Sequence, residues 1–246
     1  FKFFTSVSHE FKTPLTLIIG QLEIMQQESG LTQMARNRFT KVIRQCRLLS
    51  DLVTELIEFR KHEQGYHMLH ESPYPINQYT ADICNSFREL ASQRNIHFQT
   101  IPCKEEIKIW MDGKQMKKVI YNLLSNAFKY TPENGTISVT LTPDKNIHQL
   151  HISIADNGVG IKEEDLHHIF KRYYQADNEV QDQKQSFRAG IGLALVKNII
   201  EEHKGNISVK SQPGQGSVFT LSLPLGKKHL INHPHVCFKQ EQDDTL

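Results

Sequence analysis

Two long segments with helical periodicity occupy the first quarter of the chain, and they restrict its fold more than any other feature. In the second segment, apolar residues recur three and four positions apart in alternation, which is typical of a coiled-coil seam. These seam residues are Phe39, Val42, Cys46, Leu49, Val53 and Leu56. The first segment carries a similar stripe from Phe4 to Met25, and Ser29-Gly30 separates the two. The sequence therefore predicts a helical hairpin.

The hairpin, assigned to residues 1–62, is expected to form a homodimer. A single hairpin of this size cannot bury two apolar stripes well by itself. Two copies that assemble into a four-helix bundle can bury both stripes.

A mixed α/β domain is predicted after the hairpin. Residues 63–75 are polar, end in Ser-Pro-Tyr-Pro and are interpreted as a hinge. Over residues 76–226, helical spacing of apolar residues marks three helices, the second from Met116 to Phe128 and the third from near Gly190. Alternating apolar residues mark the strands, at 96–100, 107–111, 137–141, 150–154, 207–209 and 218–223. Residues 227–246 are interpreted as a C-terminal linker.

The composition excludes several classes of partner. The net charge is +2, and no segment has the strongly basic character that would direct it to nucleic acid or to an anionic membrane. The apolar stretches are shorter than the ~20 residues that cross a bilayer. Four cysteines without a CxxC pair indicate reduced thiols, and the histidines of the C-terminal segment are interpreted as linker rather than as a metal site. Because Phe1 already lies in the predicted helix, we expect a fragment of a longer protein.

Glycine pairs give the first indication of chemistry. Six of the 13 glycines form GxG pairs, at 158/160, 190/192 and 214/216. Paired glycines beside helix starts suit phosphate binding, because the backbone can approach a ligand closely there. The pair at 190/192 lacks the last glycine of the dinucleotide-binding fingerprint, and the chain has no GxxxxGK[ST], so Rossmann and P-loop sites are excluded.

Polar side chains in the second helix of the mixed domain are the next candidates. Asn122 and Asn126 lie four residues apart, on one face of an otherwise apolar helix, and they need hydrogen-bond partners or a ligand. Lys129 and Tyr130 follow directly and offer a cation and an aromatic ring. Asp156 ends a predicted strand before a glycine-rich turn, where turn chemistry alone is the simpler interpretation.

The first helix contains the segment His9-Glu10-Phe-Lys-Thr13-Pro. A helical histidine is usually an ordinary surface or packing residue. Here an acidic neighbour is available to polarise it, Thr13 lies one turn later on the same face, and a proline follows. This combination favours a functional histidine.

These segments together resemble the core of bacterial sensor histidine kinases of two-component systems, in family order and spacing over about residues 1–226. Phe-Thr-Ser-Val-Ser-His9-Glu10-Phe-Lys-Thr13-Pro resembles the H box, and Asn122-Leu-Leu-Ser-Asn126-Ala-Phe-Lys129-Tyr130 the N box. Asp156-Asn-Gly158-Val-Gly160-Ile161 and Gly190-Ile191-Gly192-Leu193 resemble the two glycine boxes, with Ile169-Phe170-Lys-Arg172 as the F box and Gly214-Gln-Gly216 as the last box. The ending Leu225-Gly-Lys-Lys-His-Leu resembles the exit linker of hybrid kinases.

The resemblance implies a helical hairpin that forms a dimeric four-helix bundle, followed by an α/β ATP-binding sandwich of the GHKL superfamily with a mixed sheet. Asp156 would accept a hydrogen bond from the adenine amino group, and Asn126 would ligate Mg²⁺ with help from Asn122. Lys129 and Arg172 would contact phosphates, and Tyr130 would line the pocket. Both glycine boxes would contribute to ATP binding through Gly158, Gly160 and Ile161 and through Gly190, Ile191, Gly192 and Leu193. Residues 176–189 would form a lid.

The implied activity is autophosphorylation of His9 by Mg-ATP, with Glu10 stabilising the proton on the imidazole. The phosphoryl group would pass to an aspartate of a response-regulator or receiver domain, possibly in the same full-length chain. Thr13 matches the position that orients water for a phosphatase activity. The resemblance also implies the cytoplasmic part of a membrane-anchored sensor, with no nucleic-acid or membrane contact by this fragment.

One departure from the family pattern keeps alternatives open. The second glycine box usually has a further glycine two positions before Gly190, where this chain has Arg188. The chain is therefore either an active kinase or a catalytically impaired dimeric scaffold that binds nucleotide or partner. A free-standing GHKL ATPase would leave the His9 helix and its coiled-coil partner unexplained.

Overall fold

The computed structural model describes residues 2–28, 30–63, 69–174, 190–227 and 236–238. They form two compact units. The first unit is helical, and residues 190 and 191 group with it. The second unit contains the remaining described residues, from 69 onward.

The helical unit consists of α1 (Lys2–Gln27) and α2 (Gln33–Glu63), which pack against each other. Leu15 of α1 and Ile43 of α2 are buried, and the Gln26 side-chain amide donates a hydrogen bond of 2.7 Å to the Thr40 hydroxyl. Between the helices, Gly30 has a φ of +103°, a backbone conformation that favours glycine. The predicted helical hairpin is thus confirmed.

The second unit alternates helices and strands along the chain. Its helices are α3 (Ile76–Asn85), α4 (Arg88–Gln93), α5 (Gly113–Tyr130), α6 (Glu163–Leu166) and α7 (Gly192–Glu202). Its strands are β1 (Leu69–Pro75), β2 (His97–Ile101), β3 (Lys108–Met111), β4 (Thr136–Asp144), β5 (Gln149–Asp156), β6 (Asn206–Gln212), β7 (Gly216–Pro224) and β8 (Val236–Phe238).

The main sheet has five strands in the order β2-β4-β5-β7-β6. The β2–β4 pair is parallel and the other three pairs are antiparallel, so the sheet is mixed. Buried and more exposed residues alternate along β4 and β5, as in a sheet that is covered on one face. The expected mixed-sheet α/β fold is confirmed.

Helices α5 and α7 supply the other half of the core. They pack against each other, and they contact β5 and β6 respectively. The fully buried residues of α5 recur at helical spacing and are Met116, Val119, Ile120, Leu123 and Leu124. This apolar stripe fixes the rotation of α5, and with it the positions of the polar residues on its remaining surface.

Residues 69–75, which the sequence assigns to a hinge, form strand β1 instead. Residues 72–75 pair antiparallel with β3, and residues 69–71 pair parallel with β8, which lies in the predicted C-terminal linker. The sequence did not predict this strand because the segment is polar and contains two prolines. Proline cannot donate a hydrogen bond to a neighbouring strand and therefore argues against a strand assignment. Among the residues described, no helix is long and apolar enough to span a membrane.

Candidate functional site

Helix α5 carries the predicted N-box residues, and Asp112 fixes its first turn. The Asp112 carboxylate accepts hydrogen bonds of 3.0 and 3.1 Å from the N–H groups of Lys114 and Gln115. Its second oxygen accepts the N–H of His70 in β1 at 3.0 Å. This N-cap leaves the Asp112 side chain bonded both to the helix and to the strand.

Asn122 presents an unsatisfied oxygen at the start of α7. Its Oδ1 atom is buried and has no hydrogen-bond partner within the described part of the chain. A Cβ atom on Gly192, the first residue of α7, would lie 2.6 Å from Asn122 Nδ2 and 2.8 Å from Oδ1. Glycine at 192 therefore permits the close approach of α7 to Asn122, and the buried oxygen is suited to a ligand.

The carboxyl end of α5 meets the turn that follows β5. Lys129 Nζ donates to the Tyr130 hydroxyl at 3.2 Å and lies 4.8 Å from the centre of its ring. The Tyr130 carbonyl accepts the Val159 N–H at 3.3 Å. A Cβ atom on Gly158 would lie 2.4 Å from the same carbonyl oxygen, so only glycine allows this contact.

Asp156, at the end of β5, lies beside this turn. Its Oδ1 atom accepts the N–H of Gly158 at 2.9 Å. Burial raises the pKa of the Asp156 carboxyl above its ordinary value, and backbone hydrogen bonds from Gly158 and Ser217 oppose the rise. The carboxyl is thus held in one orientation by its own turn.

The last glycine box, Gly214 to Gly216, packs against the turn that follows β5. Gly214 N–H donates to the Val159 carbonyl at 2.8 Å, and Ile161 N–H donates to the Ser211 hydroxyl at 2.8 Å. A Cβ atom on Gly216 would lie 1.9 Å from the Asp156 carbonyl oxygen. Two of the three predicted glycine pairs therefore pack against each other at the ends of β5 and β7.

Comparison of the sequence with models of known protein families gives two matches, one in each unit. The model described as His Kinase A (phospho-acceptor) domain matches residues 2–65, and the model described as Histidine kinase-, DNA gyrase B-, and HSP90-like ATPase matches residues 111–227. The chain belongs to the histidine kinase family. This confirms the resemblance to histidine kinases that the sequence motifs indicated.

The proteins to which this chain is similar include two from different kinds of organism, both named as histidine kinases. Histidine kinase P4 of Formosa agariphila is 36% identical over 230 residues, which cover 93% of this chain and 17% of that protein. Hybrid signal transduction histidine kinase D of Dictyostelium discoideum is 33% identical over 230 residues, which cover 91% of this chain and 15% of that protein. This chain thus spans less than a fifth of either relative's length.

A solved histidine kinase shares the fold. Full-length ShkA, crystallised in complex with AMPPNP, aligns with a TM-score of 0.78 and 24% identity over 92% of this chain and 46% of that chain. At this identity the likeness supports the fold alone.

Some of the predicted site residues lie outside the described residues, and others lie in parts of the chain not yet considered. His9 and Glu10 belong to α1, but their side chains fall outside the described part, as do the predicted lid and Arg188. Thr13 is an exposed residue of α1. The remaining residues that the resemblance predicts to bind ATP are Asn126, half-buried on α5; Arg172, exposed; Gly190, with a φ of +64°; Ile191, buried; and Leu193, in the first turn of α7.

Two residues that position helix α5 were not predicted. Asp112 caps the start of α5, and an Asp directly before a helix is a signal that could have identified it. Arg94 holds the other end, since its guanidinium donates to the carbonyls of Phe128 and, at 2.7 Å, Thr131. No local pattern marks Arg94, because its partners lie 34 and 37 residues away in sequence.

Proposed function

We propose that this chain is the core of a sensor histidine kinase that uses Mg-ATP to phosphorylate His9. The second unit would bind the nucleotide, and the helical unit would supply the phosphate acceptor. The phosphoryl group would then pass to an aspartate of a receiver domain, either separate or in a longer form of the same chain.

The observation that carries the proposal is the buried, unpaired Oδ1 atom of Asn122 beside Gly192. Burying an amide oxygen without a partner costs free energy, so a ligand that satisfies it is the simplest explanation. An amide oxygen suits a hard cation such as Mg²⁺. Asn126, one turn along α5, would hold the same ion, which would neutralise phosphate charge when bound.

The glycine-rich turns and their neighbours fit a nucleotide. Asp156, fixed by the Gly158 N–H, would accept the adenine amino group, and Tyr130 would line the pocket beside Gly160 and Ile161. Lys129 and Arg172 would face phosphates. Gly190, Ile191, Gly192 and Leu193, around the start of α7, would offer backbone N–H groups to them. The AMPPNP complex of ShkA is consistent with this role.

Catalysis at His9 would need a neutral imidazole. One ring nitrogen would attack the γ-phosphorus, with ADP as the leaving group, while Glu10 stabilises the proton on the other nitrogen. We also propose that Thr13 orients a water molecule that attacks the phosphoryl-aspartate of the receiver domain, so that the carboxylate is restored and inorganic phosphate is released. In addition, we propose that the chain is the cytoplasmic part of a membrane-anchored sensor, as its resemblance to sensor histidine kinases implies.

The decisive experiment is incubation of the 246-residue chain with γ-labelled ATP and Mg²⁺. We expect label on the protein that is lost in acid, retained in base and absent from His9→Gln. Protein label that persists in His9→Gln would contradict the assignment of the acceptor. Phosphate release without label would favour an ATPase, and nucleotide binding without either would favour a scaffold.

We further propose that two copies of the helical unit pair through an apolar surface. Exposed apolar side chains on both helices are Leu17, Ile18, Ile24, Met25, Met34, Val42 and Leu49. Val42 and Leu49 belong to the coiled-coil seam and are 46% and 50% exposed. A seam that remains exposed in one chain is suited to a second copy.

Leu49→Glu is expected to weaken dimerisation at least a hundredfold, because it would bury a carboxylate in the seam of both copies. Sedimentation velocity over a concentration series measures the dissociation constant. Gln45→Glu adds the same charge at an exposed polar position of α2 and should leave the dimer intact. Equal dissociation constants for Leu49→Glu and Gln45→Glu would contradict the proposed interface.

A further inference from the structure

Three polar side chains form a row across neighbouring strands at one end of the main sheet. In the antiparallel registers, Asp156 of β5 lies opposite Ser217 of β7, and Ser217 lies opposite Ser211 of β6. Directly opposed residues of antiparallel strands project to the same face, with Cβ atoms about 5 Å apart. Ser217 is buried and Ser211 is half-buried, and they alternate in step with the core residues Ile207 and Phe219. The row therefore lies on the face of the sheet that the helices cover.

Ser211 connects this row to the turn that follows β5. Its hydroxyl donates to the Gly216 carbonyl at 2.7 Å and accepts the Ile161 N–H at 2.8 Å. A third hydrogen bond, of 3.0 Å, joins the hydroxyls of Ser211 and Ser217. Ile161 follows the first glycine box, and Gly216 is the first residue of β7. One side chain thus holds the turn after β5 against the start of β7.

The three bonds fix the direction of the contact between the two serines. A serine hydroxyl has one proton and two lone pairs. Because a carbonyl oxygen only accepts, the 2.7 Å contact with Gly216 takes the single proton of Ser211. The Ile161 N–H occupies one lone pair of Ser211, and the other lone pair accepts the proton of Ser217. The Ser217 hydroxyl therefore has no proton left for another partner and can only accept.

Asp156 offers acceptors of the same kind beside Ser217. Its carboxyl accepts the N–H groups of Gly158 and Ser217, and both bonds favour the ionised form. A carboxylate only accepts hydrogen bonds. Asp156 and the Ser217 hydroxyl together thus form an acceptor-only pair on neighbouring strands. An exocyclic amino group, which has two N–H donors, complements this pair, whereas a carbonyl oxygen does not.

We infer that Ser211 is a positioning residue that makes the nucleotide site selective for a base with a 6-amino group. The inference deepens the proposed function and rests on it, because it requires Asp156 to receive the base. Ser211 acts by taking the proton of Ser217, so that Ser217 presents lone pairs beside the Asp156 carboxylate. A base with a carbonyl at that position leaves these acceptors unpaired and is rejected.

Inosine triphosphate is the appropriate probe, since it has a carbonyl oxygen where ATP has the 6-amino group. We expect it to bind the wild-type chain about a hundredfold more weakly than ATP. In Ser211→Ala the Ser217 proton is released and can turn toward that carbonyl, so the ratio of the two dissociation constants should fall about tenfold. Ser208→Ala is the matched control, because Ser208 is exposed on the opposite face of β6, and it should keep the wild-type ratio.

Displacement of a fluorescent ATP analogue from the 246-residue chain measures both dissociation constants. If Ser211 acts through Ser217, Ser217→Ala should also lower the ratio, and the double variant with Ser211→Ala should lower it no further. Should Ser211→Ala not fold, Ser211→Cys tests the same ratio, since a thiol is only a weak donor and acceptor.

Two results would overturn the inference. One is an equal weakening of ATP and inosine triphosphate in Ser211→Ala, because a merely structural role would affect both nucleotides alike. The other is a wild-type chain that binds both nucleotides equally well. A wild-type chain that binds neither nucleotide would instead refute the proposed nucleotide site itself, and the selectivity of Ser211 with it.

Discussion

Gly160→Ala is expected to destabilise the second unit by on the order of 4 kcal/mol and to abolish nucleotide binding. Gly160 has a φ of +70°, and a Cβ atom there would lie 2.0 Å from the carbonyl oxygen of Gln212. The clash involves backbone on both sides, so no side chain can rotate to relieve it. The turn after β5 would have to move away from the β6–β7 turn, and Asp156 and Gly158 would move with it.

Gly214→Ala is a matched control for backbone strain. Its φ of +75° is nearly the same, but an added Cβ would meet nothing within 4 Å. We expect this variant to lose only about 1 kcal/mol, the ordinary cost of alanine in a left-handed conformation. Urea unfolding followed by the fluorescence of Trp110, the only tryptophan, measures both changes, and titration with a fluorescent ATP analogue measures binding. Equal losses for the two variants would show that the predicted clash is absent.

The contrast between these glycines illustrates what the sequence could predict. The GxG spacing located both turns, because glycine pairs beside strand ends are a local pattern. The spacing did not distinguish Gly160, which is confined by the backbone of Gln212, from Gly214, which faces open space. That difference arises because the turn after β5 lies against the end of β6, a contact between residues about fifty positions apart.

The helical periodicity predicted α2 and α5 for a similar reason, since each carries one continuous apolar stripe along its sequence. By contrast, β1 has little local signal. Its buried positions are Leu69 and Glu71, and an acidic residue at a buried position breaks the alternation by which a strand is recognised. Its pairing with β8 was also not predictable, because the paired residues are more than 160 positions apart in sequence and no local pattern relates them. The Asn122 and Asp156 candidates were found by residue type and local sequence, whereas the approach of Gly192 to Asn122 is a tertiary contact that only the fold shows.

Glu71 makes the stability of the second unit depend on pH. Its carboxyl lies 3.6 Å from His203 Nε2, which at first suggests an ion pair. However, His203 Nδ1 donates to the Ile199 carbonyl at 2.7 Å, and Nε2 accepts the Asp112 N–H at 3.0 Å. Since a carbonyl only accepts and an N–H only donates, the imidazole is the neutral tautomer and offers Glu71 no proton.

The sign of the pH dependence follows from the Glu71 pKa. Burial, with a smaller contribution from the Asp112 charge, raises the pKa of Glu71 from 4.5 to about 8. Between these values the folded unit keeps a proton that the unfolded chain has released. The free energy of unfolding therefore falls as pH rises through this window, by about 1.4 kcal/mol per pH unit. Below the window both states are protonated, and above it both are ionised.

Glu71→Gln is thus expected to stabilise the second unit at pH 8 by on the order of 3 kcal/mol and to change it little at pH 5. The amide keeps the shape of the protonated carboxyl but cannot ionise, so the pH dependence between 5 and 8 should become shallower. Urea unfolding followed by Trp110 fluorescence at both pH values measures the effect. Glu133→Gln, at an exposed position, removes the same charge and should leave the wild-type pH dependence in place. A Glu71→Gln variant that is no more stable than the wild type at pH 8 would mean that the buried carboxyl is satisfied in the folded protein, because only an unsatisfied acid gains from losing its charge.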